Sequence, residues 1–142
     1  MASVQDVAAY ILHKLGPVTA IKLQKLVYYS QAWSLVWDEE PLFEDEIQAW
    51  ANGPVSPTLY EAHRRQFKVS VISDGNLESL IPSQRETIDK VLEFYGDKSS
   101  QWLSDLTHQE SPWLEARRGL APGQPGNCEI TTASMAEYYG SL

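Results

Sequence analysis

Three histidines, a single cysteine and nineteen carboxylates are the side chains here that could bind a metal or catalyse a reaction. A metal centre needs such groups converging at ligand spacing, as in HExxH or CxxC. His13, His63 and His108 fall on three separate predicted helices, and neither motif occurs. His63 and Glu61 are out of helical phase and cannot face one ion together. Nucleophilic catalysis needs an activated Ser or Cys beside a base. Cys128 stands in the stretch GLAPGQPGNC with no motif around it, while His108 with Glu110 would serve as a base and its orienter. That pair supports one enzymatic reading, a hydrolase of unknown type using His108 and a carboxylate. Ser111, which precedes Pro112, is better explained as a helix cap than as a nucleophile. A phosphate cradle needs clustered glycines before a helix. The eight glycines are scattered, with no GxGxxG or GxxxxGK. No catalytic residue, cofactor or metal is assigned.

Residues suited to binding are more prominent. Five Trp and seven Tyr stand in 142 residues, and Trp, Tyr and Arg dominate the hot spots of protein interfaces. A binding module is thus favoured over an enzyme. Two surfaces are candidates. The segment DEEPLFEDE places six acids in residues 38–46. There Glu39, Glu40, Glu44 and Glu46 would attract a basic partner, and Leu42 and Phe43 would give an apolar centre amid charge. On the predicted helix from Tyr60 to Phe67, Tyr60, His63, Arg64 and Arg65 would engage an acidic patch instead. The acidic segment is preferred, because a net charge of −8 already favours a cationic partner.

The same charge argues against a binder of the phosphate backbone, whose affinity comes from clustered Lys and Arg. The length suits one domain able to bury its own core. One cysteine excludes an internal disulfide framework. The N-terminal stretch MASVQDVAAYILHKLG lacks a basic start and carries Asp6, His13 and Lys14, so it reads as neither signal peptide nor anchor. No run reaches the ~20 apolar residues of a membrane span. A cytoplasmic protein with no membrane contact and no direct nucleic-acid contact is expected; nothing fixes whether it is a monomer or a homodimer.

The elements that must position these residues are mostly helices. Ser3 and Asp6 resemble a capping box for a helix over residues 3–15, which Gly16-Pro17 stops. Thr19 opens a helix to residue 37. Its apolar residues include Leu23, Leu26, Val27, Tyr29, Trp33 and Trp37 and spread beyond one face, as in a central helix packed on several sides. Ile47–Ala51 alternates as a short extended piece, Asn52-Gly53-Pro54 is a turn, and Ser56-Pro57 starts a helix to about Phe67. Residues 68–76 suit a short strand or a loop. Ser83 and Glu86 form a capping box for a helix over 84–96. Ser99 or Ser100 caps the next helix, Ser111-Pro112 opens a short one through Arg118, and Thr131 or Thr132 starts the last. The fold class is mainly α, a single compact helical domain over residues 1–142, with about seven helices and at most two short strands.

Three stretches together, KLQKLVYYSQAWSL (22–35), IQAWANGPVSPTLY (47–60) and LSDLTHQESPWLEAR (103–117), resemble the Panacea domain family, which includes SocA-like and phage-associated GepA-like antitoxins. The resemblance covers nearly the whole chain, ending with the tyrosine pair 138–139. It implies an antitoxin that neutralises a cognate toxin by direct protein–protein binding. The family's toxins are unrelated in fold and target, and one member is a proteolytic adaptor that delivers its toxin to a AAA+ protease. The resemblance carries no catalytic residue. Some relatives add a DNA-binding domain, for which this chain has no room, so repression by this chain alone is not expected. A third reading, an acidic DNA mimic or a regulator without nucleic-acid contact, would bind a DNA-binding protein instead of a toxin.

Overall fold

The computed structural model describes residues 2–142. Its elements follow in the order α1 (Val4–Leu15), β1 (Val18–Thr19), α2 (Ala20–Trp37), β2 (Ile47–Trp50), β3 (Gly53–Val55), α3 (Pro57–His63), β4 (Lys68–Val69), a 3-10 turn at Leu77–Ser79, α4 (Pro82–Tyr95), α5 (Ser100–Thr107), α6 (Ser111–Ala116), β5 (Glu129–Ile130) and α7 (Thr132–Gly140). The protein is mainly α, as the caps and periodicity imply. Five short strands appear where at most two were expected. Three of them are two-residue pairings, too short to leave a period-2 signal.

α2 organises the rest. It packs against α1, α4, α5, α7 and β3, so every side of it meets a neighbour and its residues from Leu23 to Ala32 are all buried. Leu23, Leu26 and Tyr29 reach full burial within one continuous core. Trp37 differs from the expected apolar face. It is 47% exposed at the last turn, stacked on Trp33. Burying a helix on all sides also buries its polar residues, which must then find partners inside. Gln24, Lys25, Ser30, Gln31 and Ser34 are all buried, and what they meet shapes the molecule.

Helix starts follow local chemistry, with two departures. Ser3 and Asp6 make the reciprocal box at α1, while Thr19, Ser56, Ser99 and Thr131 cap α2, α3, α5 and α7. α4 begins earlier than expected, on Pro82, with Ile81 at the cap position. There Gln84 Oε1 accepts the Ile81 N–H at 3.0 Å, and Ser83 lies inside the first turn. At α6 the cap position is Glu110, and Ser111 is the first helical residue.

The two small sheets are antiparallel throughout. β1 pairs with β4, Val18 opposite Val69. β2 is central between β3 and β5, with Ala49 opposite Pro54 and Ile47 opposite Ile130. The β2–β3 connection is a two-residue hairpin, Ala51-Asn52, closed by Gly53 at φ +122. The helix expected to reach Phe67 ends at His63. Arg65 adopts φ +70, and the Phe67 carbonyl accepts the Ala20 N–H at 2.9 Å. Pairing of β4 with β1 thus pulls the chain out of helix.

Candidate functional site

The acidic segment is fastened to α2 by two buried polar side chains. Gln31 Oε1 accepts the Leu42 N–H at 2.7 Å, and its Nε2 donates to the Phe43 carbonyl at 2.9 Å. Ser34 Oγ donates to the Glu40 carbonyl at 2.7 Å. These bonds fold Leu42 and Phe43 inward, where both are fully buried. The expected exposed apolar centre is therefore absent, because those two side chains serve the core. Glu39, Glu40, Glu44 and Glu46 remain exposed, with Glu39 in the left-handed region at φ +55. Glu129 of β5 comes alongside through the pairing of β2 with β5. A groove of about 280 Å³ runs there between Glu44, Glu46 and Glu129, with Ile47 and Met135 in its lining.

The second candidate surface divides. Arg64 points to Glu61 at 3.3 Å, an exposed pair one helical turn apart. Tyr60, His63 and Arg65 instead line a pocket of about 450 Å³. The β2–β3 hairpin contributes Trp50, Ala51, Asn52 and Val55, α2 contributes Ile21, Gln24 and Lys25, and the late loop adds Pro125 and Gly126. Trp50 meets Tyr60 edge-on at 5.0 Å, and Tyr60 meets His63 at 5.5 Å. The late loop is held by Arg117. Its guanidinium donates to the carbonyls of Ala49 at 3.1 Å and Gln124 at 2.5 Å and lies over the Trp113 ring.

Gln24 fixes the protonation of His63. The Ser56 N–H donates to Gln24 Oε1 at 2.9 Å, so the amide nitrogen is the atom facing His63 Nε2, also at 2.9 Å. An N–H aimed at Nε2 requires that nitrogen to accept, which leaves the ring neutral. Burial acts in the same direction and lowers the His63 pKa. Lys25 has no such arrangement. It is 1% exposed, and its Nζ has one long contact, 3.4 Å to the Pro54 carbonyl. It takes part in no salt bridge among the described residues. Desolvation lowers its pKa to about 8. Gly53 makes room for it, since a Cβ there would stand 2.5 Å from Lys25 Cε.

A different cluster surrounds Glu110. Tyr29 and Tyr139 donate to its Oε1 at 2.6 and 2.7 Å, and Tyr28 reaches the Tyr139 hydroxyl at 3.1 Å. Tyr95 stacks on Tyr29 at 4.3 Å. Glu110 is therefore committed to the tyrosines and does not orient His108. The His108 ring stacks on Trp113 at 4.2 Å, and its Nε2 is buried without a partner. Burial first, then the charge of Lys25, lowers the His108 pKa. Among the described residues no group of three or more His, Cys, Asp and Glu could hold a metal ion, and no helix is long and apolar enough to cross a membrane.

Sequence reasoning missed Gln24, Lys25 and Trp50. The signal was present in KLQKL, where two polar residues interrupt a helix apolar on every side, but only its leucines were read.

What these parts define is a small, mainly α domain built around one buried helix, with an acidic ridge and a cation-lined pocket on its surface. A family model described as "Antitoxin SocA-like, Panacea domain" matches residues 23–114, from the first turn of the pocket-forming α2 into α6. The chain belongs to that Panacea-domain, SocA-like antitoxin family. It is similar to the Antitoxin SocA of Caulobacter vibrioides, 28% identical over 110 residues that cover 68% of this chain. The match spans 58% of that relative's length. No solved structure matches the chain.

Proposed function

We propose that this chain is an antitoxin that neutralises a toxin by binding it directly, with no catalytic step. Membership of the SocA-like family carries the proposal. The toxin meets the ridge of Glu39, Glu40, Glu44 and Glu46, whose carboxylates are exposed on a segment tied down by Gln31 and Ser34. A pinned segment loses little freedom on docking, and concentrated charge speeds encounter with a basic surface. With Leu42 and Phe43 in the core, the contact is mainly electrostatic. The partner is accordingly a toxin with a cationic face.

The test is a reconstituted assay with the toxin encoded beside this chain and no protease present. Neutralisation at stoichiometric antitoxin is expected, and failure without a AAA+ protease would point to the adaptor route instead. Reversing Glu39, Glu40, Glu44 and Glu46 to Lys is expected to weaken the complex and flatten its salt dependence. Unchanged affinity in a folded variant would place the toxin elsewhere. His108→Gln should leave neutralisation intact.

A further inference from the structure

We propose that the pocket between α2, the β2–β3 hairpin and α3 binds a small organic anion, a phosphate or carboxylate group carried on a planar body. This site is separate from the acidic ridge and does not depend on how the toxin is bound.

Charge is the first argument. The chain has 19 acidic and 11 basic residues, yet no Asp or Glu lines this pocket, whereas Lys25 and Arg65 both do. A surface this acidic would supply a carboxylate to a buried lysine if neutralising it were the only need. Buried ammonium groups are ordinarily paired. Lys25 has one long carbonyl contact and two further donors without a protein acceptor among the described residues. An anion entering the pocket provides what the fold withholds.

Construction is the second argument. Gly53 lets the hairpin backbone pack directly on the end of Lys25, where an added Cβ would stand 2.5 Å from Cε. Arg65 sits in the left-handed region at φ +70, a conformation that is unfavourable for a residue with a Cβ. That turn ends α3 and leaves Arg65 in the lining of the same pocket. His63 is kept neutral by Gln24, so it adds a polar ring without a third charge.

Shape sets the rest of the ligand. Trp50 and Tyr60, 5.0 Å apart, give an aromatic wall for a flat group. A volume of about 450 Å³ lies within the ~300–1,000 Å³ range of small-molecule sites. Phosphate and carboxylate are the two anions that lysine and arginine together recognise.

Phenyl phosphate serves as the probe for the full-length chain, with phenol as its neutral counterpart and benzoate as the carboxylate arm. Nitrogen-edited NMR resolves the Trp50 indole N–H and the amides of Asn52, His63 and Gly126. Saturable shifts confined to those signals are expected with phenyl phosphate, and binding at least about tenfold weaker with phenol. Comparison with benzoate then tells which anion is preferred. Lys25→Met should abolish the shifts while raising the melting temperature. Arg65→Gln, on an exposed residue, should weaken binding several-fold at unchanged melting temperature. No saturable shift up to about 50 mM, equal binding of phenol, or shifts that survive Lys25→Met would each overturn the proposal.

Discussion

Glu110 and Lys25 are both ionisable groups taken out of water, and the fold treats them oppositely. Glu110 receives two tyrosine hydroxyls at 2.6 and 2.7 Å, with a third tyrosine behind them and Tyr95 stacked against the first. Each polar atom of that hydroxyl network has a partner inside the core, so the cluster ties α2, α6 and α7 together. Lys25 receives one long contact and opens onto a pocket. A closed polar network contributes to stability, whereas an under-satisfied one costs stability and persists only where something else requires it. The contrast separates side chains that hold the fold from side chains available to a ligand.

The largest effect expected from breaking the contrast is at Glu110. Glu110→Leu strands the Tyr29 and Tyr139 hydroxyls, and two orphaned buried donors cost on the order of 3–5 kcal/mol. Chemical denaturation measures it. Glu110→Gln keeps an acceptor and should lose far less. Burial raises the Glu110 pKa while the tyrosine bonds lower it, burial prevailing. The folded pKa then lies above the unfolded one. Its contribution to stability is full below the unfolded pKa of 4.5 and is lost as pH rises through the folded value. That component should vanish in Glu110→Gln.

Lys25 should behave in reverse. Its pKa falls from 10.5 to about 8, a difference worth roughly 3 kcal/mol of destabilisation when the amine is charged in both states. Lys25→Met should therefore stabilise the chain by about 1–3 kcal/mol at neutral pH. The sign with pH follows. Between about 8 and 10.5 the unfolded chain binds the proton and the folded chain does not, so wild-type stability rises across that window. His63, Arg65 and His108 are the titratable or charged neighbours, and His63 and His108, both lowered by burial, are neutral throughout it. The rise should be missing from Lys25→Met. A loss of stability in that variant would make Lys25 a structural residue and erase the contrast.

Gly53 sharpens the same point at smaller scale. Gly53→Ala must accept φ +122 and a Cβ 2.5 Å from Lys25 Cε, at an expected cost of about 1–3 kcal/mol. Combined with Lys25→Ala, the clash with the lysine disappears, while the backbone part and the 3.1 Å approach to Thr107 Oγ1 stay. The double-mutant cycle should show a coupling of about 0.5–1 kcal/mol. No coupling would mean that the glycine serves the hairpin alone.

How far the chain could be read without coordinates follows from the range of each interaction. Ser3, Thr19, Ser99 and Thr131 act within three or four residues, and the caps they form were legible. The pairing of β1 with β4 spans about fifty residues, and it cut short the helix expected to reach Phe67. The burial of Leu42 and Phe43 depends on Gln31, eleven and twelve positions away, and no local pattern announces it. In the candidate site, Tyr60, His63 and Arg65 were found for their charge and aromaticity, but as a helical stripe instead of a pocket wall. Lys25 was overlooked because a lysine on a helix is ordinarily at the surface.

The smallest prediction lies outside both clusters and sets the scale for them. Ser83 and Glu86 match a capping box by spacing, yet Pro82 fixes the backbone one position too early for it. Proline is favoured at the first helical position, which places Ile81 at the cap. Isoleucine has no oxygen to offer, so only the returning half of the box forms, Gln84 Oε1 to the Ile81 N–H. Gln84→Ala should therefore cost about 0.5–1 kcal/mol, and Ser83→Ala should stay within about 0.5 kcal/mol of wild type. Equilibrium denaturation of the two variants side by side tests this. The reverse order would restore Ser83 as the cap and move the start of α4. With the expected order, a lost hydrogen bond at an exposed helix end is several-fold weaker than the loss of Glu110. That ratio ties the stability of the closed cluster to burial of its partners, beyond their number.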